Sequence, residues 1–148
     1  MVEDKTLLMD QVNIGLAVSL AEGLMTPVIR DCDTKGLSQI AQEARELAAK
    51  VRENRATPDD VTGGGFTITN LGAYDIDGFT PIINPPQVAI LGVGRAVDKP
   101  IIENGEVAKA TMMFLSLTFD HRVVDGAPAG GFLQTVKRYL EDPWWMVS

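Results

Sequence analysis

Hydrophobic and polar positions first fall into a regular order at Val12. Val12, Ile14, Leu16, Val18 and Leu20 alternate with Asn13, Gly15, Ala17 and Ser19. That strict period of two predicts a half-buried strand. Glu22-Gly23 supplies a turn, and Leu24 to Arg30 reads as the returning strand of a hairpin, with Pro27 at an edge or bulge. The period then changes. Leu37, Ile40, Ala41, Ala44, Leu47, Ala48 and Val51 form one apolar stripe at helical spacing over 37–54, started at Gly36 or Ser38. Glu46 and Lys50 stand in the favourable i, i+4 order on this helix. Thr57-Pro58-Asp59-Asp60 marks a second, one-turn helix start, with Thr57 as cap and acidic residues at the positive dipole end.

Gly63-Gly64-Gly65 breaks the chain, and Phe66 to Leu71 reads as a strand rich in β-formers. Residues 72–87, with Pro81, Pro85 and Pro86, form a long irregular loop, and a loop of that length in a compact domain is usually functional. Val88 to Val93 is a short strand buried on both faces, Asn104-Gly105 is a hairpin turn, and Ala110 to Phe119 reads as a central strand. Gly126 and Pro128 open a helix with the stripe Ala129, Phe132, Leu133, Val136 and Leu140, which Pro143 stops. Strands and helices mix without regular alternation. The expected fold class is therefore α/β in the α+β sense: a two-layer sandwich of a mixed sheet with helices on one face.

Composition narrows this picture by exclusion. The 148 residues suit one domain with its own core. Lys and Arg number 13 against 20 Asp and Glu, a net charge of −7, which speaks against a basic nucleic-acid footprint. No run approaches the ~18 apolar residues of a membrane span, so no membrane partner is expected. The N-terminus (MVEDKTLLMD) lacks the basic-then-apolar order of a signal peptide. A lone cysteine, Cys32, excludes an internal disulfide framework and favours a reducing compartment.

Few residues are candidates for chemistry. His121 is the only histidine and directly follows the most apolar strand, with Asp120, Arg122 and Asp125 around it. A lone histidine is usually structural, but the C-terminal end of a strand at the mouth of a loop is a common place for chemistry. One His, one Cys and scattered carboxylates have no metal-ligand spacing, so no metal is expected. The three glycines lack the following Lys-Ser/Thr of a phosphate loop and read as a turn. Cys32 lies between Asp31 and Asp33, whose charge raises a thiol pKa and makes it a poor nucleophile.

Asp120-His121-Arg122-Val123-Val124-Asp125-Gly126 resembles the HxxxDG motif of the dihydrolipoyl acyltransferases, the core components of 2-oxo acid dehydrogenase complexes, and of the chloramphenicol acetyltransferases that share their fold. Further blocks agree. Gly64 to Gly72 (GGFTITNLG) is similar to the family's GGTFTISNLG, and Phe79 to Gln87 with Ala89 to Gly94 is similar to FTPIINPPQ and AILGVG. Val12-Asn13-Ile14-Gly15 and Pro27 to Asp31 resemble its VNIG and PVIRD segments, so the likeness runs over residues 11–142.

The resemblance implies a chloramphenicol acetyltransferase-like fold and acyl transfer between a dihydrolipoyl thiol and coenzyme A. It makes His121 the general base that takes the proton of the attacking thiol. It aligns Thr69 with the serine whose hydroxyl stabilises the tetrahedral oxyanion; threonine keeps the donor and adds a methyl. It assigns Asp125 to orientation of the loop around the histidine, through an arginine. In the family the site is a channel between subunits of a homotrimer, with the histidine from one and the hydroxyl from its neighbour. Trimers build larger cores through an apolar C-terminal tail, here Trp144 to Val147; two tryptophans covering the domain's own core are an equal alternative. The lipoyl group comes from another domain or chain, coenzyme A is a substrate, and partners are the lipoyl domain and the other complex subunits. The implied location is the cytoplasm, or the mitochondrial matrix in a eukaryote.

Residues 1–148 therefore read as the acyltransferase catalytic domain without its N-terminal part, without a lipoyl domain and without a peripheral subunit-binding domain. That N-terminal part carries coenzyme A contacts and the arginine partner of the motif aspartate, so the coenzyme A-binding residues are not assigned. Three functions are open at this point: the acyltransferase, a non-catalytic core-forming or accessory subunit of the same complex, and a stand-alone coenzyme A-dependent acetyltransferase. The family divides among acetyl, succinyl and branched-chain groups, and these motifs do not select one.

Overall fold

The computed structural model describes residues 6–146. The chain runs β1 (Ile14–Leu16), β2 (Val18–Ser19), β3 (Leu24–Met25), β4 (Val28–Ile29), α1 (Leu37–Arg52) and β5 (Phe66–Asn70). It continues through β6 (Ala89–Val93), β7 (Val97–Glu103), β8 (Glu106–Met112), β9 (Leu115–Phe119) and α2 (Gly126–Glu141). Five strands form the main sheet in the order β4-β1-β5-β6-β9. β1, β5 and β6 are mutually parallel, while β4 and β9 run antiparallel at the two edges. This is the expected mixed sheet. Among the described residues, no helix is long and apolar enough to cross a membrane.

The period-two run does form a hairpin. Ile14 pairs with Ile29 and Val18 with Met25, one register from end to end. Its ladder is interrupted at Pro27, whose carbonyl accepts the Leu16 N–H at 2.8 Å but which has no N–H to return. Pro27 sits, as expected, on an edge strand. α1 starts at Gly36 and packs along this hairpin, burying Val51. Thr57 and Asp60 form a capping box over the single turn Pro58–Asp60.

Strand parity separates two faces. Ile14, Leu16, Phe66, Ile68, Leu91, Leu117 and Phe119 share one face in register. α2 packs there against β9, and the Phe66 and Phe132 rings meet with centroids 5.7 Å apart. Gly15, Thr67, Thr69, Ile90, Gly92, Ser116 and Thr118 line the other face, which is small and mostly polar. Residues 71–88 return over that face; a Cβ on Gly92 would stand 3.1 Å from Phe79 and 3.2 Å from Pro81. At the end of β6 the approach is closer still. A Cβ on Gly94 would lie 1.8 Å from the Asp77 carbonyl oxygen, a contact that only glycine permits.

One expectation fails. Ala110 to Phe119 is not a single central strand. Its first part belongs to β8, which pairs with β7 across Asn104-Gly105, both at positive φ as a two-residue hairpin turn requires. Its last part is β9, at the sheet edge beside β6. Apolar content reports burial tendency but not a strand's position in a sheet, and Met112, Met113 and Phe114 at the break are exposed. Trp144 is also exposed, at 76%, and does not cover the core. Val147 of the tail and the polar Glu3-Asp4-Lys5 lie outside the described residues.

Asn13 holds the start of β1 to two loops. It is buried, its amide donates to the Gly63 carbonyl at 3.1 Å, and its Oδ1 accepts the Asp31 N–H at 2.9 Å. Its own carbonyl accepts the Gly65 N–H at 2.9 Å. Asn13→Ala strands a donor on one loop and an acceptor on the other. The expected result is a loss of about 2–3 kcal/mol of stability, read as a lower urea midpoint at unchanged slope.

Candidate active site

β9 delivers His121 to a tight turn. The Asp120 N–H donates to the Val88 carbonyl at 2.8 Å, the last bond between β9 and β6, and the Asp120 carbonyl accepts the N–H groups of Val123 and Val124. The Asp120 carboxylate accepts from the Arg122 backbone N–H at 3.0 Å and from its guanidinium Nε at 2.9 Å and terminal nitrogen at 2.6 Å. These bonds, the guanidinium first, hold the Asp120 carboxyl down at about 2. Asp120 and Arg122 therefore engage each other and shape the turn rather than the imidazole. The His121 ring leans on Phe119, centroids 5.6 Å apart, and its side chain is 72% exposed.

Asp125 is the N-cap residue of α2 and makes no side-chain cap bond. Its Oδ1 stands 3.7 Å from His121 Nδ1, beyond hydrogen-bond length but close enough for attraction to an imidazolium. His121 is thus the group that stands by the Asp125 carboxylate, where the resemblance expects an arginine.

Thr69 lies elsewhere. It is half-buried in a cavity of about 400 Å³ over the polar face, lined also by Thr67, Ile90, Ala17, Phe79 and Pro81. Thr67 and Thr69 point to the same side of β5, yet they differ. The Thr67 hydroxyl donates to Gln87 Oε1 at 2.6 Å, and the Gln87 amide donates to the Gly64 carbonyl at 3.1 Å. Among the described residues, the Thr69 hydroxyl has no hydrogen-bond partner. It is the hydroxyl of this pair that remains available to a ligand.

One chain does not bring Thr69 and His121 together. Thr69 pairs with Gly92, and Gly92 with Ser116, which is five residues before His121 on a strand of opposite direction. Strand geometry then separates them by roughly 16 Å along the sheet and about 10 Å across it. His121 and Asp125 are brought together; Thr69 is not.

Cys32 is a partly buried free thiol that donates to the Ile29 carbonyl at 3.4 Å. Burial pushes this thiol up, ahead of the neighbouring acidic charge that the sequence suggested as the cause. Asn13, Thr67 and Gln87 went unnoticed in the sequence. Their signal is faint: single polar residues beside strands that are otherwise apolar or β-branched.

The model of the family "2-oxoacid dehydrogenases acyltransferase (catalytic domain)" matches residues 1–148. The chain belongs to this acyltransferase family. It is 48% identical over 132 residues to the dihydrolipoyllysine-residue acetyltransferase component of the acetoin cleaving system of Bacillus subtilis (strain 168), covering 89% of this chain and 33% of the relative. It is 50% identical over 131 residues to the dihydrolipoyllysine-residue succinyltransferase component of the 2-oxoglutarate dehydrogenase complex of Escherichia coli (strain K12), covering 88% of this chain and 32% of the relative. The chain thus spans about a third of the length of the curated relatives it matches. A solved structure of Azotobacter vinelandii dihydrolipoamide acetyltransferase superposes with a TM-score of 0.89 at 41% identity, covering 95% of this chain and 58% of that one. That structure comes from a crystallographic and enzymatic study of one serine, one histidine and one asparagine in the catalytic mechanism of the acetyltransferase. The mixed sheet described above is accordingly the chloramphenicol acetyltransferase-like fold of the acyltransferase family.

The His121 turn of this family member carries a checkable electrostatic signature. Asp120 is the depressed case: its stabilising contribution is complete above the ordinary carboxylate range and is lost as pH falls from about 4 to about 2. A carboxyl NMR titration is expected to place Asp120 near 2. In Arg122→Gln the midpoint is expected to move up towards the ordinary value of 3.8.

Proposed function

We propose that this chain carries the catalytic chemistry of a dihydrolipoamide acyltransferase, moving an acyl group between a dihydrolipoyl thiol and coenzyme A in a 2-oxo acid dehydrogenase complex. The observation that carries the reading is spacing. In the Azotobacter acetyltransferase, the histidine under study follows the serine by fifty-two residues and precedes the asparagine by four. Thr69, His121 and Asp125 stand at the same two intervals in this chain.

The chemistry follows from the groups at those positions. His121 removes the proton from the attacking thiol, and the thiolate adds to the thioester carbonyl. The negative charge that develops on the carbonyl oxygen accepts a hydrogen bond from the free Thr69 hydroxyl. Collapse breaks the original carbon–sulfur bond, and the departing thiolate recovers the proton from His121. Asp125 favours the imidazolium that exists between the two proton transfers, and so acts on orientation and charge. Coenzyme A and the lipoyl group are both substrates, the latter presented by a lipoyl domain.

Because His121 and Thr69 lie at opposite ends of the sheet, the working site takes His121 from one copy and Thr69 from the next. A cyclic trimer is the assembly that closes such a head-to-tail contact in this reading, and trimers serve as units of a larger core alongside the other complex subunits. The free thiol of Cys32 fits the reducing cytoplasm, or the mitochondrial matrix of a eukaryote.

The assay is transfer from acetyl-coenzyme A to dihydrolipoamide. His121→Ala is expected to abolish it, and a wild-type rate no higher than that of the variant overturns the reading. Thr69→Val is expected to lower kcat by about 10²–10³-fold with little change in KM, while Thr69→Ser keeps most activity. Co-assembly of His121→Ala with Thr69→Val in equal amounts is expected to restore about a quarter of the wild-type rate, since about a quarter of all head-to-tail contacts in a random mixture hold both intact groups. No recovery on mixing would count against a site shared between copies.

A further inference from the structure

An asparagine can be consumed by its own backbone, when the amide nitrogen of the next residue attacks the side-chain carbonyl. The reaction needs that nitrogen to be free, the next residue to be small and the backbone to be able to move. The chain has five asparagines, and four are protected. Asn84 precedes Pro85, which has no N–H to attack with. Asn54 precedes Arg55, whose N–H donates to the Lys50 carbonyl at 2.8 Å, and Asn70 precedes Leu71, whose N–H donates to the Val93 carbonyl at 3.1 Å. Asn13 is buried, with both ends of its side-chain amide engaged. Asn104 has none of these restraints. Residues 102–107 are all exposed, Gly105 follows without a Cβ, and a Cβ built there would meet nothing within 4 Å. Among the described residues, neither the Asn104 side chain nor the Gly105 N–H has a hydrogen-bond partner.

We propose that Asn104 is a site of spontaneous deamidation and that the product loosens the β7–β8 arm. The reaction draws on no group of the acyl-transfer site. Opening the arm releases Asn104 and Gly105 from their left-handed turn at little cost, because two strands alone hold it. The Gly105 nitrogen then bonds to Asn104 Cγ, the Cγ–Nδ2 bond breaks, and ammonia leaves with the Gly105 proton. Water opens the resulting cyclic imide. Attack at Cγ breaks the new bond and leaves aspartate. Attack at the Asn104 backbone carbonyl breaks the original peptide bond and leaves isoaspartate, with the chain routed through the side chain. Either product puts a carboxylate between Glu103 and Glu106, which already stand opposite each other. Among the described residues neither glutamate has a cation partner, and Lys109 on the same strand is bound by Asp98 at 2.8 Å. Like charges opposed across a ribbon destabilise it. Isoaspartate also adds a carbon to the backbone of the turn, which a two-residue loop does not accommodate in register.

The test incubates the full chain at mildly alkaline pH and follows its tryptic peptides by mass spectrometry, with aspartyl and isoaspartyl forms separated by chromatography. Lys99-Pro100 resists trypsin, so the site lies in peptide 96–109, where Asn104 is the only amide side chain. Asn104 is expected to convert at least about tenfold faster than any of the other four asparagines, and a smaller margin overturns the proposal. Hydrogen exchange of the incubated chain is expected to run about two- to fivefold faster across β7 and β8 and to stay unchanged across β1, β5 and β6. Unchanged exchange in the arm, or an equal loss across the main sheet, overturns the loosening. Asn104→Asp carries the same charge without incubation and is expected to show the same acceleration in freshly purified protein. Arm exchange at the wild-type rate in that variant overturns the electrostatic cause.

Discussion

Two neighbouring parallel strands oblige the chain to travel back the length of the sheet before the second can begin. β5 ends at Asn70 and β6 starts at Ala89, and apart from the short turn Gly72–Tyr74 no helix makes the return. An irregular segment has no ladder of its own, so its backbone must find fixed partners. Asn70 Oδ1 accepts the Gly72 N–H at 2.7 Å, the Ile76 carbonyl accepts the Arg95 N–H at 2.8 Å, and the Asn84 carbonyl accepts the Gln87 N–H at 3.1 Å. Gly92 and Gly94 remove the side chains that would keep the loop off the sheet. The cavity over Thr69 is the space that remains between this loop and the polar face. Its lining is thus set by how the chain solves the return from β5 to β6.

The same topology decides which groups a single copy can combine. β9 runs against β6, so its C-terminal end lies beside the start of β6, and the Asp120–Val88 bond fixes that junction. Val88 directly follows Gln87, which ties the loop to Thr67 and Gly64. The His121 turn and the glycine turn are therefore mechanically close, while Thr69 sits towards the far end of β5. Under the proposed acyltransferase chemistry, His121 and Thr69 are each held rigidly within one copy and need a second surface to become one site.

Much of this was legible in the residue pattern. The alternation from Val12 to Leu20 and the turn at Glu22-Gly23 specify a hairpin because period two and a turn residue agree. The stripe from Leu37 to Val51 specifies α1 for the same kind of reason, and the HxxxDG resemblance singles out His121 and Asp125, though it expects an arginine rather than the imidazole beside Asp125. The failures have a shared cause: they concern partners distant in sequence. Nothing within Ala110 to Phe119 says that one half pairs with β7 and the other with β6. Likewise, Thr67 and Thr69 look equivalent along the strand, and only Gln87, brought back by the loop, distinguishes the occupied hydroxyl from the open one. At Cys32 burial leads the upward shift and Asp33 adds to it only last, because acidic neighbours are visible in sequence and burial is not.

The hairpin of β7 and β8 stands apart from the main sheet, seven pairs closed by Asn104-Gly105, and among the described residues it pairs only with itself. Ile102 and Val107 near its tip are 71% and 76% exposed. An arm of two strands without a third to cover it opens at little energetic cost and without unfolding the rest. Its amide protons are accordingly expected to exchange through local opening of the arm, and those linking β1, β5 and β6 through cooperative unfolding of the sheet, which gives one molecule two independent clocks.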